Sequence, residues 1–144
     1  MAYQISRSKA ATERLELVDE AGQVVDAIVI RLDQAGLAKN ASQKVIELTH
    51  AQAALKKAEA ERQDKDQLAA AYQHVEESFL SVIRVICGEE DTKKLLDFYG
   101  GNVLELSNAV TPFFIQVVIP KIREMAKEAR KNKMRSYDRK FFKR

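Results

Sequence analysis

Side chains able to do chemistry are sparse in this sequence. Cys87 is its only cysteine, and His50 and His74 are its only histidines. Neither histidine has a second His or Cys at metal-ligand spacing, so both read as surface or packing residues. Cys87 closes the apolar run Ser81-Val82-Ile83-Arg84-Val85-Ile86-Cys87. A lone thiol in that setting behaves as a small buried hydrophobe and cannot form an internal disulfide. No GxSxG, CxxC or HExxH occurs anywhere in the chain. The most pointed stretch is Asp97-Phe98-Tyr99-Gly100-Gly101-Asn102-Val103-Leu104-Glu105-Leu106, a glycine pair flanked by two carboxylates. A phosphate-binding loop would need several converging backbone N–H groups after a buried strand, with a Lys and a Ser or Thr close by. Here a helical pattern precedes the glycines and no Gly-Lys-Ser/Thr follows. The pair reads instead as helix punctuation: Gly100 or Gly101 ends one helix in the left-handed conformation, and Asn102 caps the next. Glu105 sits at capping-box spacing from Asn102. Asp97 and Glu105 then make polar contacts at helix ends, and no carboxylate pair is set up for acid–base work. The expectation is a non-enzyme that uses no cofactor and no metal.

Periodicity supplies the elements around that turn. Leu15 and Leu17 alternate with charged residues, Asp19 to Gln23 offers a turn, and Val24 to Leu32 is rich in β-branched side chains. This predicts a β-hairpin over 13–32, with Ile28, Ile30 and Leu32 on one face and Gly22 in the turn. A two-stranded hairpin is marginal alone, so it must pack on helices or add strands from another copy. Helices are predicted over about 40–62, 66–87, 91–99 and 102–130. Asn40 or Ser42 is the expected cap of the first, whose seam holds Val45, Leu48, Gln52, Leu55 and Lys56. Leu68, Tyr72, Val75, Phe79, Val82 and Ile86 form the seam of the second, and the two suit an antiparallel helical hairpin. Asp91 is the expected cap of the third. In the last, Val103, Leu106, Val110, Phe113, Phe114, Val117, Val118, Ile122 and Met125 keep helical spacing across Pro112 and Pro120. Each proline removes a backbone hydrogen bond, so Thr111 capping a fresh helix and a kink at Pro120 are both open readings. The fold class is mainly α with an N-terminal β-hairpin (α+β), the hairpin packed on a small helical bundle.

The 144 residues are one domain's worth, with an N-terminal arm over 1–12, a single domain over 13–130 and a basic C-terminal tail over 131–144. No apolar core marks a signal peptide in the first residues, and no apolar run approaches the roughly 20 residues of a membrane span. The expected location is the cytoplasm. A net charge of +3 conceals an asymmetry: Lys121 to Arg144 carries eleven basic and three acidic residues, leaving the first 120 residues with a charge of −5. An acidic body with a basic tail can attract two kinds of partner, or its own copies.

The order and texture of the chain resemble the tail assembly chaperones of long-tailed (siphovirus-type) bacteriophages. The resemblance rests on the hairpin from Leu15 to Leu32, the helices after it, and Leu95-Leu96-Asp97-Phe98-Tyr99-Gly100-Gly101-Asn102. Leu106, Val110, Pro112-Phe113-Phe114 and Val118-Ile119-Pro120-Lys121-Ile122 continue it. The resemblance implies a protein of the infected bacterial cytoplasm that binds and solubilises the tape-measure protein before tail-tube polymerisation. It further implies displacement as the tube grows. An apolar groove would serve this, with Leu106, Val110, Phe113, Phe114, Val117, Val118 and Ile122 as the expected lining. Free hairpin edges would let copies self-associate into homo-oligomers. A rival reading is a small helical nucleic-acid-binding protein acting through Lys131, Lys133, Arg135, Arg139, Lys140, Lys143 and Arg144, with Tyr137, Phe141 and Phe142 interleaved for stacking. A third is an inhibitor that docks by its acidic body.

Overall fold

The computed structural model describes residues 12–142, in the order β1 (Thr12–Val18), β2 (Val24–Arg31), α1 (Leu37–Ala60), α2 (Lys65–Cys87), α3 (Glu89–Phe98), α4 (Val103–Phe113), a π-helical turn (Phe114–Val118) and α5 (Ile119–Phe142). Most of the expected N-terminal arm lies outside the described residues, as do Lys143 and Arg144 and the side chains of Lys133, Arg135, Arg139 and Lys140. The architecture is the expected α+β one, mostly helix with a two-stranded antiparallel hairpin at its start.

Local chemistry explains the hairpin. The Asp19 carboxylate accepts the amides of Ala21 and Gln23, each at 2.9 Å, and Gly22 takes a φ of 81° that a side chain would resist. Leu15 pairs with Ile28 and Glu13 with Ile30, and a bulge lies between Leu17 and Val18. The register puts Leu17, Ile28 and Ile30 on the face turned to the helices, and Leu32 continues it, all four buried. The opposite face keeps Val18, Val24, Val25 and Val29 about half exposed.

One apolar cluster collects Leu17, Ile28, Ile30 and Leu32 with Leu37 and Ala41 of α1, Phe79 to Ile86 of α2, Leu95 of α3, and the inner face of α4–α5. Ile28, Ile30, Ile83, Ile86, Leu95, Leu106 and Val118 are essentially sealed from solvent, each worth about 1.5–3 kcal/mol of burial. Beyond this cluster α1 and α2 pack on each other. There α1 buries only Ala51 and Ala58, while Leu68 and Val75 of α2 are half-buried. At that far end the Tyr72 hydroxyl donates to Glu59 at 2.8 Å, and its ring lies outside the predicted seam. The aromatic side chain is too large for an interface built from alanines.

Two helix starts differ from expectation. α1 begins at Leu37, where Gly36 turns the chain with a φ of 75°, so Asn40 and Ser42 lie inside the helix and no side chain caps it. α3 begins at Glu89 with Gly88 in the cap position. Asp91 therefore sits in the first turn, beside Glu89 and Glu90, where negative charge favours the helix dipole.

Candidate partner-binding surfaces

The glycine pair does what its spacing implies. The Gly100 amide donates to the Asp97 carbonyl at 3.0 Å and the Gly101 amide to the Leu96 carbonyl at 2.8 Å, with φ of 61° and 79°. These bonds satisfy the last carbonyls of α3 in a Schellman arrangement. The Asn102 side chain then accepts the Glu105 amide at 3.1 Å and starts α4. Phe98 and Tyr99 meet edge to face, their ring centroids 5.0 Å apart, just before the turn.

The two prolines do not break the helix that follows. Thr111 is helical, and its hydroxyl donates to the Ser107 carbonyl at 2.6 Å, so it does not cap a new helix at Pro112. Next comes the π turn, in which the Ile119 amide reaches back to Phe114. The wider turn falls just before Pro120, whose ring would otherwise crowd a carbonyl one turn earlier. Helix therefore continues from Val103 to Phe142. It also holds the core face in line. Leu106, Val110, Phe114, Val118 and Ile122 recur every four residues, and all are buried. In a straight α-helix a repeat of four drifts by about 40° each time. The underwound π turn takes back part of that drift.

Burial divides the seven expected groove residues. Leu106, Val110, Phe114, Val118 and Ile122 are 0–3% exposed and belong to the core, so they cannot line an open groove in this conformation. Their spacing suits core packing as well as it suits a groove, which is why periodicity did not separate the two. Phe113 and Val117 are half-buried at the edge of the cluster. Among the described residues, the large apolar side chains that do reach solvent on this helix are Leu104, 67% exposed, Ile115, 60% exposed, and Met134 farther along α5. Neither Leu104 nor Ile115 stood out in the sequence, because each sits next to a large apolar residue, Val103 or Phe114. One expectation needs correction. With helix running through both prolines, Val103–Glu128 is long and apolar enough to cross a membrane by length and composition, yet 22% of its most apolar window is buried.

The remaining candidates separate widely. His50 and His74 are exposed on α1 and α2. Among the described residues no group of three or more His, Cys, Asp or Glu side chains converges on a metal position. Cys87 is half-buried at the end of α2, and its thiol is pushed up to about 12 by burial, with Asp91 adding to the shift. The Tyr99 hydroxyl is also raised, first by burial and then by Glu105. Ion pairs tie the hairpin to the helices: Lys94 of α3 reaches Asp26 of β2 at 3.7 Å, and Lys121 of α5 pairs with Glu13 of β1. Asp33 keeps one buried carboxylate oxygen without a hydrogen bond, with the Arg31 guanidinium 3.5 Å away.

Of the basic tail, Lys131 is exposed on α5. Sequence reading counted the basic residues just before it in the charge of Lys121 to Arg144 but did not single them out as a site. Lys39 of α1 and Arg123, Lys127 and Arg130 of α5 border one depression between those helices, together with Ser42. The signal was present as a spacing of i, i+4 and i+7 on α5. No family model matches the chain, and neither a curated protein nor a solved structure proves similar to it.

Proposed function

We propose that this chain is a tail assembly chaperone of a long-tailed bacteriophage, acting in the cytoplasm of the infected bacterium. In that role it holds apolar helical segments of the tape-measure protein until tail-tube subunits replace it, and it performs no catalysis. The observation that carries this reading is the Val103–Glu128 helix, which is more apolar than its packing uses. Its inner side chains fill the core, while Leu104 and Ile115, about three helical turns apart and so close to one face, stand more than half exposed. An apolar helix laid along that outer face would cover them by helix-to-surface packing. The exposed valines on the outer face of the hairpin add a second apolar surface, suited to self-association between copies. The order of elements and the residues from Leu95 to Ile122 that resemble such chaperones support the same reading.

Co-expression with a tape-measure fragment tests it. The full chain should keep the fragment soluble. The double variant Leu104→Asp with Ile115→Asp should stay folded by circular dichroism, because both positions are exposed, and should lose capture. Phe114→Asp makes a different defect, since an unpaired charge in the core costs several kcal/mol and unfolds the protein. Undiminished capture by the folded double variant would end the proposal for this surface. If deletion of 131–144 abolishes capture, and capture by the full chain collapses with moderate salt, a charged partner replaces the tape-measure protein.

A further inference from the structure

Basic side chains on this molecule are not spread evenly. Lys39 at the start of α1 and Arg123, Lys127 and Arg130 on α5 all face one open depression of about 470 Å³. All four are exposed, and among the described residues none of them forms an ion pair. The other basic residues commonly do: Lys44, Lys57, Arg84, Lys94 and Lys121 each have a carboxylate within 4 Å. Glu124 and Glu128 of α5 lie outside this depression. They border a separate depression with Glu13 and Lys121, toward the hairpin. From Lys121 to Arg130 the helix is therefore banded, one band mixed in charge and the other basic. Ser42 places a hydroxyl in the basic depression, and α1 starts there with no side-chain cap on its amides.

We propose that this depression binds the phosphodiester backbone of a single-stranded nucleic acid. Extent argues for a strand over a small anion. Arg123, Lys127 and Arg130 are spaced by about 6 Å and 4.5 Å along the helix axis. The sequence after them adds seven Lys and Arg against one Asp over 131–144, and α5 itself runs on to Phe142. Positive charge extended over that much sequence suits a polyanion better than a single phosphate. Tyr137, Phe141 and Phe142 interleave with those basic residues in the sequence, the composition that stacks unpaired bases and favours a single strand. An acidic protein segment would match the charge but offers nothing for the aromatic residues to stack on. This inference stands apart from the chaperone reading, since the two surfaces share no residue.

The test is fluorescence anisotropy of the full chain with a labelled single-stranded 20-nucleotide probe of mixed sequence, at several salt concentrations. Binding should weaken steeply as salt rises. The variant K39A/R123A/K127A/R130A keeps the whole tail. It should bind at least tenfold more weakly at low salt, with a log–log salt slope shallower by about 2–3. The variant K56A/K57A/K65A/K93A removes the same charge at exposed sites elsewhere and should stay within about threefold of the parent. Lys39→Ala and Lys127→Ala singly should each weaken binding by a few-fold, which keeps the test informative if the quadruple variant is poorly folded. The proposal is overturned if the chain shows no binding at low salt, or if the first quadruple variant binds like the parent. It is equally overturned if the two quadruple variants lose affinity alike. Poly-glutamate competing as well as the oligonucleotide would assign the groove to acidic protein instead, and tighter binding of the matching duplex would remove the single-strand assignment.

Discussion

Cys87 shows how far its neighbours, more than its identity, set a side chain's chemistry. It ends α2, packs against the apolar cluster and has Asp91 of the next helix nearby. Both effects disfavour the thiolate, and the thiol is pushed up to about 12 from an ordinary value near 9. Iodoacetamide at pH 8 should therefore label the native protein far more slowly than the denaturant-unfolded one, measured by intact mass. Equal rates would mean that the thiol is open to solvent. The linkage has a definite sign. The unfolded chain loses this proton first as pH rises, so the contribution of Cys87 to stability is complete below about pH 9 and is lost progressively toward about pH 12. Its place against the apolar cluster was legible from the apolar run around it. Not legible was the difference between Phe114 and Ile115, adjacent large apolar residues of which one is core and the other 60% exposed. Only the phase of the helix decides between them, and the π turn resets that phase.

At the scale of elements, two helix ends use one hydrogen-bonding scheme with different residues. After α3 it is built on Gly100 and Gly101. After α1 the Arg62 amide donates to the Glu59 carbonyl and the Gln63 amide to the Ala58 carbonyl, each at 3.2 Å. There Arg62 holds a φ of 52°, among the described residues the only non-glycine in the left-handed region. Gly100→Val should destabilise the fold by about 1 kcal/mol or more in urea unfolding, through backbone strain alone, because a Cβ at that position would meet nothing within 4 Å. Arg62→Gly should act oppositely and stabilise by about 0.5 kcal/mol, the relief of left-handed strain being partly offset by the freer unfolded chain. A stabilised Gly100→Val, or a clearly destabilised Arg62→Gly, would show that these turns do not control the helix ends. The glycine turn could be read from sequence because glycine marks the required φ. The Arg62 turn could not, since nothing in a charged run distinguishes one residue of it. The start of α1 was displaced for a related reason: a left-handed glycine turns the chain there, and no polar side chain caps the helix. Pro112 and Pro120 looked like breaks, while the four-residue repeat from Leu106 to Ile122 already described a continuous face.

Over the whole molecule the packing is graded. The hairpin, α3, the long C-terminal helix and the inner halves of α1 and α2 share one apolar cluster, which includes Ile83 and Ile86 with no measurable exposure. Past Leu48 on α1 and before Ser78 on α2, the two helices lean chiefly on each other, through alanines and half-buried Leu55, Leu68 and Val75. Small side chains bury little apolar area, so that end gains much less per residue than the core does. Its polar links, the Tyr72 to Glu59 hydrogen bond and the Lys57 to Glu61 pair, are exposed and add little. The antiparallel helical hairpin was foreseen from the seam of α2, but this gradient was not, because both halves of that seam carry similar spacing and differ only in what lies opposite. Native-state hydrogen exchange should reveal two levels of stability. Amides from Phe79 to Ile86 should exchange only through global unfolding, with a denaturant dependence equal to that of the whole protein. Amides from Ala51 to Ala58 and from Leu68 to Val75 should exchange at least tenfold faster, through local opening with a shallow denaturant dependence. Such opening would widen the gap between α1 and α2 while leaving the Val103–Glu128 helix and its exposed Leu104 and Ile115 in place. Uniform protection along both helices would instead mean that the alanine interface is as strong as the core, and that the molecule opens as one unit.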